Sequence, residues 1–345
     1  MRIRSLYHYG RLEKFSALYL FVGFIVLFGL WAPTTFLTMA SVHSIASQQA
    51  VAGIIAIAIL VPMTCGNFDL SVGANANLAG ILAIVMQVNH HWSAVASIAL
   101  AIGVGVVVGW LNGLLVVKFH INSFIATLGM GSILAATEII VTGGLQPAAP
   151  TSTAWYNLTQ AQFGGFQVVF FYLIAVALIA WWALDFTPPG RYLYAVGGNS
   201  EAARLSGVRV GRVTWGSLIV AGGVAGLGGV LYTSLTGPSL TFGSTLLLPA
   251  FAAPFLGSTQ LQPGRFNVWG TIIAIYVLAT GVQGLQLVSG QQWLSDMFNG
   301  VALIIAVGLS VARQNRPIRE RTTPEEMERE LKELTKEQMA GSAVS

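Results

Sequence analysis

The sequence predicts an all-α integral membrane protein, a polytopic bundle of about ten transmembrane helices with both termini in the cytoplasm. Three observations predict it. Of the 345 residues, 54% are hydrophobic and only 9% are charged, the mean hydropathy is +0.71, and the charges cluster near the chain ends. Of 30 charged residues, 5 precede Phe15 and 14 follow Val311, so residues 15–312 carry only 11. Because soluble domains carry about 25% charged residues, this composition excludes a water-soluble enzyme, a nucleic-acid-binding protein and a disordered scaffold.

A helix that crosses a bilayer needs about 20 mostly apolar residues, and ten stretches meet that requirement. They are 15–32, 43–63, 70–88, 93–117, 121–141, 167–184, 213–235, 246–260, 266–286 and 293–312. Short cytoplasmic loops collect Lys and Arg, and ten spans with an internal N-terminus place all 17 basic residues on the cytoplasmic side. The chain therefore divides into a cytoplasmic N-terminus (1–14), a transmembrane domain (15–312) and a charged cytoplasmic tail (313–345).

The first span is expected to stay in the mature protein. Pro33 and a threonine-rich turn follow it, instead of the small-residue cleavage site of a signal peptide. Glycines recur at three- and four-residue spacing within the later spans, as at Gly222, Gly226 and Gly229. Such small residues let helix backbones approach closely in a membrane, so we expect a compact bundle.

Polar residues interrupt the apolar pattern between Cys65 and Gly80, namely Asn67, Asp69, Asn75 and Asn77. Pro62 removes a backbone donor and Gly66 permits a turn, so we expect the chain to break here and a new helix to begin. Asp69 is expected to accept backbone N–H groups at the start of that helix. A direct functional role is the alternative, because ionisable groups at membrane depth are often functional.

The loop from Asp185 to Arg212 carries six of the eleven interior charges. After the break at Pro188-Pro189-Gly190 it contains a short predicted helix with a capping residue at each end. Asn199 or Ser200 can cap its start, Glu201 lies in its first turn, and Gly207 suits its C-terminal cap. Ala202, Ala203 and Leu205 give it an apolar side. A capped helix on the cytoplasmic face is a surface suited to docking a soluble partner.

Two of these stretches resemble a known family. GNFDLSVG (66–73) and GRYLYAVGGNSEAARLSGVRV (190–210) are similar to the signature segments of ribose-type permeases, the membrane subunits of bacterial ATP-binding-cassette importers for monosaccharides, in a wider family that includes branched-chain amino acid permeases. FIATLG (124–129), TGG (142–144) and the region 257–270 extend the resemblance over residues 15–312.

The resemblance implies a permease of the bacterial inner membrane that works as a homodimer or heterodimer, with the solute path on the dimer axis. It implies two further partners, an ATPase subunit that holds the ATP and Mg, and an extracytoplasmic solute-binding protein. This chain would itself bind no cofactor, metal or nucleic acid. The helix from Asn199 to Gly207 is similar to the coupling helix that enters a groove of the ATPase. The implied coupling residues are Gly198, Asn199, Glu201, Ala202, Ala203, Arg204, Leu205, Ser206 and Gly207, and the implied structural turn contains Gly66, Asn67, Asp69, Ser71 and Gly73.

The chain departs from the family at two places. Leu248 to Pro254 replaces an acidic and small-residue pattern, and its two prolines should distort the eighth span. Glu138 occupies a position that relatives usually leave uncharged. We expect its carboxylate to reach the membrane interface, and a contact with the binding protein or a polar solute is the alternative.

No catalytic constellation is apparent in the sequence. The four lysines do not follow the pattern of a phosphate-binding loop, so ATP hydrolysis must belong to another chain. An ion-coupled secondary transporter that works without an ATPase is the alternative function, with Asp69 and Glu138 as the ionisable groups it would need.

A solute path needs polar side chains that face the bundle interior. The candidates are Asn75, Asn77, Asn112, Asn122, Ser123, Gln283, Gln286 and Asn299. Each could instead form a hydrogen bond with a neighbouring helix. In the tail, Thr323-Pro324-Glu325-Glu326 predicts the start of an amphipathic helix. That helix is either a solvated extension or a surface that packs on the ATPase.

Overall fold

The computed structural model describes residues 16–291 and 293–314. The predicted cytoplasmic N-terminus (1–14) and the predicted tail helix near Thr323 lie outside these residues. The helices are α1 (Ser16–Trp31), α2 (Pro33–Phe36), α3 (Met39–Thr64), α4 (Val72–His90), α5 (Ala94–Gly113, extended by a π-helical turn, Leu114–Lys118), α6 (Ser123–Thr142), α7 (Thr153–Gln160), α8 (Val168–Phe186), α9 (Pro188–Gly198), α10 (Ser200–Leu205), α11 (Val210–Thr236), α12 (Phe242–Gly257), α13 (Val268–Ser289) and α14 (Trp293–Gln314). A hairpin of β1 (Gln162–Phe163) and β2 (Phe166–Gln167) precedes α8.

Each predicted span coincides with one of these helices, and the bounds differ by no more than four residues. Within the described ranges, eight helices are long and apolar enough to cross a membrane, and two shorter apolar stretches occupy Leu18–Trp31 and Phe242–Gly257. The all-α polytopic architecture is therefore confirmed. The compact unit that holds these helices extends to Ser310, within α14.

Helix α3 forms the centre of the core. Every residue from Ala50 to Thr64 is buried, and α3 is packed by α8, α11, α12 and α13. A helix that is hydrophobic all round must be covered on every side, which explains this central position. The helix continues two residues past Pro62 before it ends.

Glycines allow α4, α5 and α11 to pack backbone against backbone. Gly105 lies against the carbonyl of Gly222, and Gly80 lies against the carbonyl of Gly229. A Cβ atom at any of these positions would overlap a neighbouring backbone atom, so the expectation of close small-residue packing is confirmed.

Several helix ends meet at one end of the bundle. Val117 lies against Gly211, and the Cys65 Sγ atom is 3.4 Å from Ser217 Oγ. Arg265 Nη2 is 3.1 Å from Asp185 Oδ1 in an ion pair. We call this end the basic face, because its loops and helix ends carry Lys118, Arg191, Arg204, Arg209, Arg212 and Arg265. The gathering agrees with the sequence argument that the interior basic residues share one side.

Three features of the fold differ from the sequence expectations. Helix α12 begins four residues before the predicted eighth span and runs on through Pro249 and Pro254. The Pro188-Pro189-Gly190 stretch, predicted as a break, forms the first turn of helix α9, with Pro188 at the first position, where no N–H is needed. Helix α7 and the hairpin were not predicted. Helix α7 packs at the C-terminal end of α11, where Ser234 Oγ donates to the Trp155 carbonyl at 2.6 Å. The hairpin packs on the start of α3, where Gly165 contacts the His43 ring.

Candidate functional site

The charged loop on the basic face folds as two successive helices, α9 and α10. Asn199 ends α9 and caps α10, because its Oδ1 accepts the Ala202 N–H at 2.9 Å. Gly207 ends α10 with a positive φ of 86°. The N–H groups of Gly207 and Val208 donate to the carbonyls of Arg204 and Ala203, as in a Schellman motif. Both predicted caps of this helix are therefore present.

Helix α10 presents its charged side and one large apolar residue to the surroundings. Only Ala203 is buried against the chain, whereas Leu205 is 78% exposed. Arg204 Nε donates to Glu201 Oε2 at 3.1 Å, and this exposed pair adds little to stability. That hydrogen bond raises the pKa of the Arg204 guanidinium, which stays charged. An exposed leucine beside an exposed ion pair gives a protruding element suited to contact with another protein.

Close packing fixes α9 to the end of α3. Gly197 lies directly on the carbonyl of Thr64, and a Cβ atom there would overlap that oxygen. Gly198, the next residue, has open space around its Cα atom. The chain therefore needs glycine at position 197 for this contact. A displacement of α9 would also displace Thr64 and the residues that follow it.

A cluster around Arg265 ties α9 to the α12–α13 loop and to the end of α8. The Arg265 guanidinium carbon is 3.6 Å from the centre of the Tyr194 ring, and Tyr194 Oη donates to the Phe266 carbonyl at 2.8 Å. The ion pair with Asp185 completes the cluster. Burial raises the pKa of Tyr194, against the opposing effect of the Arg265 charge, so the phenol stays a neutral donor. Sequence reasoning did not identify Tyr194 or single out Arg265 beyond its positive charge.

The segment after Thr64 is held by an extensive hydrogen-bond network. Asp69 Oδ1 accepts from the Ser71 N–H at 2.9 Å and from Ser71 Oγ at 2.6 Å. Asn112 Nδ2 on α5 donates to Ser71 Oγ at 2.8 Å and lies 3.4 Å from both Asp69 carboxylate oxygens. Asp69, Ser71 and Asn112 are each at most 1% exposed. The carboxylate thus accepts a backbone N–H group at the start of α4, as the sequence predicts.

The same segment is attached to α6 through its backbone. The Phe68 N–H donates to Ser123 Oγ at 3.2 Å, and the Leu70 N–H donates to Thr127 Oγ1 at 3.0 Å. Gly66 turns the chain with a φ of 79°, and Gly73 lies against the carbonyl of Gly243 on α12. Thr127 is a contact that sequence reasoning missed, because its partner is a backbone N–H 57 residues away.

The structure does not gather the eight predicted path residues into one site. Asn75 lies between α5 and α11, within 3.4 Å of the Gly105 and Gly222 carbonyls, and Asn122 caps α6. Gln286 Nε2 donates to Ser295 Oγ at 2.9 Å, between α13 and α14. Gln283 is half-buried on α13, and Asn299 on α14 has a buried Oδ1 without a hydrogen-bond partner in the described part of the chain. Asn112 and Ser123 belong to the network around Asp69 described above.

Glu138 lies inside the bundle, so the expectation that its carboxylate reaches the membrane interface is wrong. The residue is 5% exposed, and its Oε2 accepts from Asn77 Nδ2 at 2.5 Å. Asn77 Oδ1 in turn accepts the Gly243 N–H at 3.1 Å. The orientation of α6 about its own axis, which turns this residue inward, is not encoded in an almost uniformly apolar sequence.

Away from the basic face, a cavity of about 630 Å³ opens between α3, α11 and the hairpin. Its polar lining includes Ser44, Ser47, Gln48, Gln162 and Gln167. A second cleft of about 320 Å³ lies between α4, α6 and the start of α12, and Asn77 and Glu138 line it. Both volumes fall in the range of about 300–1,000 Å³ that is typical of small-molecule sites.

Comparison with known proteins identifies relatives over most of the chain. A family model described as "Branched-chain amino acid transport system / permease component" matches residues 41–307. The chain is 31% identical to the ribose import permease protein of Bacillus subtilis over 79% of its own length and 85% of the relative. It is 27% identical to the fructose import permease protein of Rhizobium meliloti, over 83% and 81% of the two chains.

A third relative has a different named solute. The autoinducer 2 import system permease protein of Salmonella choleraesuis is 30% identical over 78% of this chain and 77% of its own. No solved structure matches this chain significantly.

Proposed function

Because this chain belongs to the family of branched-chain amino acid transport system permease components, we propose that it is the membrane-spanning subunit of an ATP-binding-cassette importer for a sugar or a similar small polar solute. It is a multi-pass protein of the cell inner membrane. Ribose, fructose and autoinducer 2, the solutes in the relatives' names, are small and rich in oxygen atoms, which supports a polar solute here.

The single observation that carries the proposal is the protruding helix α10 on the basic face. Its ion pair and Leu205 are exposed, and both of its ends are capped. A short helix capped at both ends keeps these exposed side chains in a fixed arrangement that a soluble partner can contact. We assign α10 as the coupling helix that enters a groove of a separate ATPase subunit, and the basic face as the cytoplasmic side.

The contacts of α9 give a physical route from that helix into the bundle. A displacement of α10 by the ATPase would displace α9. Helix α9 contacts Thr64 at Gly197, and its Tyr194 contacts Arg265 and Phe266, so these residues would be displaced with it. The residues that follow Thr64 are bound to α5 and α6 through Asp69, Ser123 and Thr127. ATP binding and hydrolysis in the partner would therefore reposition α4 to α6 as one group and alternate access to the solute.

Two further partners complete the proposed importer. A second permease subunit, either another copy or a related chain, would place the solute path between the two bundles. An extracytoplasmic binding protein would deliver the solute to the end of the bundle opposite the basic face, where the cavity beside the hairpin opens.

The experiment measures uptake by right-side-out membrane vesicles that contain the tagged chain and are loaded with ATP, with or without orthovanadate inside. The tagged chain is also purified from the same membranes to identify its partners. We expect a subunit with a phosphate-binding loop to copurify, and uptake of a radiolabelled sugar to stop with orthovanadate and to persist with a protonophore. Uptake that stops with the protonophore and proceeds without any ATPase would instead establish the ion-coupled alternative.

A further inference from the structure

The cleft between α4, α6 and the start of α12 is lined by a buried carboxylate, and only one of its two oxygen atoms accepts a hydrogen bond from the described part of the chain. Glu138 Oε2 is bound by Asn77, whereas the buried Oε1 has no hydrogen-bond partner within the described ranges. A buried acceptor that lacks a donor costs about 1–3 kcal/mol, and more when it is charged. The native state therefore favours a donor supplied from outside this part of the chain.

The position of Glu138 argues that this donor comes from a ligand in the cleft. Glu138 lines a cleft of about 320 Å³, together with Asn77, Ser132 and Ser244. Leu70 and Leu247 form apolar walls of the same cleft. Largely apolar walls with a few converging polar groups are typical of small-molecule sites.

The surroundings also indicate the chemical class of the ligand. Asn77 links the carboxylate to the N–H of Gly243 in the first turn of α12, a helix of 16 residues. The positive end of the helix dipole thus already offsets part of the negative charge. What the site still lacks is a hydrogen-bond donor, and a neutral hydroxyl group supplies one without burying a second full charge.

We propose that this cleft is a binding site for a neutral polyhydroxylated solute on its way through the membrane. The Glu138 side chain turns its covered Oε1 toward the cleft, where it accepts from a solute hydroxyl. Ser244 Oγ, whose own hydrogen is donated to the Thr241 carbonyl, accepts from a second hydroxyl, and the leucines cover the C–H face of the ring. The proposal rests on the proposed import of a polar solute, and it names Glu138 as a residue that contacts it.

The test places a reporter thiol in the cleft and asks which solutes protect it. Cys65, the only cysteine in the sequence, is first replaced by serine. Ser132→Cys is then introduced into this Cys65→Ser chain, six residues before Glu138 on α6. The full chain in nanodiscs reacts with a charged methanethiosulfonate, alone or with 10 mM of D-ribose, D-fructose, D-xylose, D-glucose, choline or spermidine. The matched control is Ser152→Cys, because Ser152 is an exposed serine just before α7, outside the spans, where the charged reagent reaches the thiol from water.

We expect at least one of the four sugars to slow labelling of Ser132→Cys at least threefold and to leave labelling of Ser152→Cys unchanged. Glu138→Gln keeps the shape of the side chain but removes its charge, and charge-assisted hydrogen bonds are about twice as strong as neutral ones. It should raise the sugar concentration needed for protection about tenfold. Glu138→Leu should abolish protection, and unchanged size-exclusion profiles would show that both variants are folded.

Four results would overturn the proposal. They are the absence of protection by every sugar, equal protection of both thiols, protection unchanged by Glu138→Gln, or protection by choline or spermidine alone. Copurification of an ATPase with the same chain separates these results from failure of the proposed function. An intact ATPase complex without sugar protection overturns only the binding site, whereas loss of the ATPase overturns the importer itself.

Discussion

The guanidinium group of Arg265 lies over the ring of Tyr194, with its central carbon 3.6 Å from the ring centre. The two residues are 71 positions apart in the sequence and come from different elements, the α12–α13 loop and α9. This contact, with the Asp185 ion pair and the Phe266 hydrogen bond, holds the loop that carries α10 against the membrane bundle. The loop that carries α10 is therefore attached to the bundle at several points, so a displacement of the loop is transmitted to the bundle.

The Arg265 cluster predicts measurable effects of small changes at Tyr194. Tyr194→Phe keeps the ring and loses the hydrogen bond to Phe266, which should cost about 1 kcal/mol of unfolding free energy. Tyr194→Leu also loses the cation–π contact and should cost about 2 kcal/mol. Thermal unfolding of the detergent-solubilised protein measures both. Tyr192→Phe is the control, because Tyr192 is 48% exposed on the same helix and should tolerate the change. A larger loss for Tyr192→Phe than for Tyr194→Phe would contradict this account.

Adjacent glycines offer a matched pair that tests the contact between α9 and α3. Gly197→Ala introduces a methyl group into the Thr64 carbonyl and should cost about 1–3 kcal/mol. Gly198→Ala meets nothing within 4 Å, so it should be neutral or stabilising by about 0.5 kcal/mol. Vesicle uptake should fall at least tenfold for the first variant and remain near normal for the second. Equal uptake by the two variants would argue against transmission through this contact.

The network at Asp69 predicts an ordered series of losses. Asp69→Ala leaves the Ser71 N–H and Oγ–H groups buried without an acceptor and should destabilise the protein by about 3 kcal/mol. Asp69→Asn keeps an oxygen for Ser71 and should cost about 1 kcal/mol. Unfolding monitored by tryptophan fluorescence compares the two. If the charge of Asp69 drives transport directly, Asp69→Asn would instead abolish uptake while stability stays intact.

The cap of α10 predicts a local effect. Asn199→Ala removes the acceptor for the Ala202 N–H and should weaken the helix by about 1 kcal/mol. Ser200→Ala, one residue later, removes no cap and serves as the control. Hydrogen exchange of residues 200–205 should speed up at least fivefold in the first variant only. Unchanged exchange in Asn199→Ala would mean that packing, rather than the cap, holds this helix.

Features of the structure that depend on neighbouring residues could be predicted from the sequence. The spans follow from apolar length, and the helix at Ser200–Leu205 follows from Asn199 and Gly207. The turn after Thr64 follows from Gly66, and the start of the next helix follows from Asp69. Each signal lies within one or two turns of the structure it specifies. Helix-capping residues and turn glycines can therefore be recognised in the sequence even when the chain has very few charges.

Features that depend on how helices turn about their axes could not be predicted. Glu138 is turned inward toward Asn77, whereas Ile139 beside it is 59% exposed. A span that is apolar on every side carries no periodic signal that distinguishes these faces. The need for glycine at position 197 likewise becomes visible only when α3 is placed against it.

The central claim is that α10 is the contact for a separate ATPase, and affinity for that subunit tests it most directly. Leu205→Asp places a charge where 78% of an apolar side chain is exposed. Phe119→Asp is the matched control, because Phe119 is 60% exposed in the α5–α6 loop on the same basic face. Titration of the ATPase onto the nanodisc-embedded chain should show at least a tenfold weaker dissociation constant for Leu205→Asp and less than a threefold change for Phe119→Asp. Equal binding by wild type and Leu205→Asp would contradict the assignment of α10 as the coupling helix.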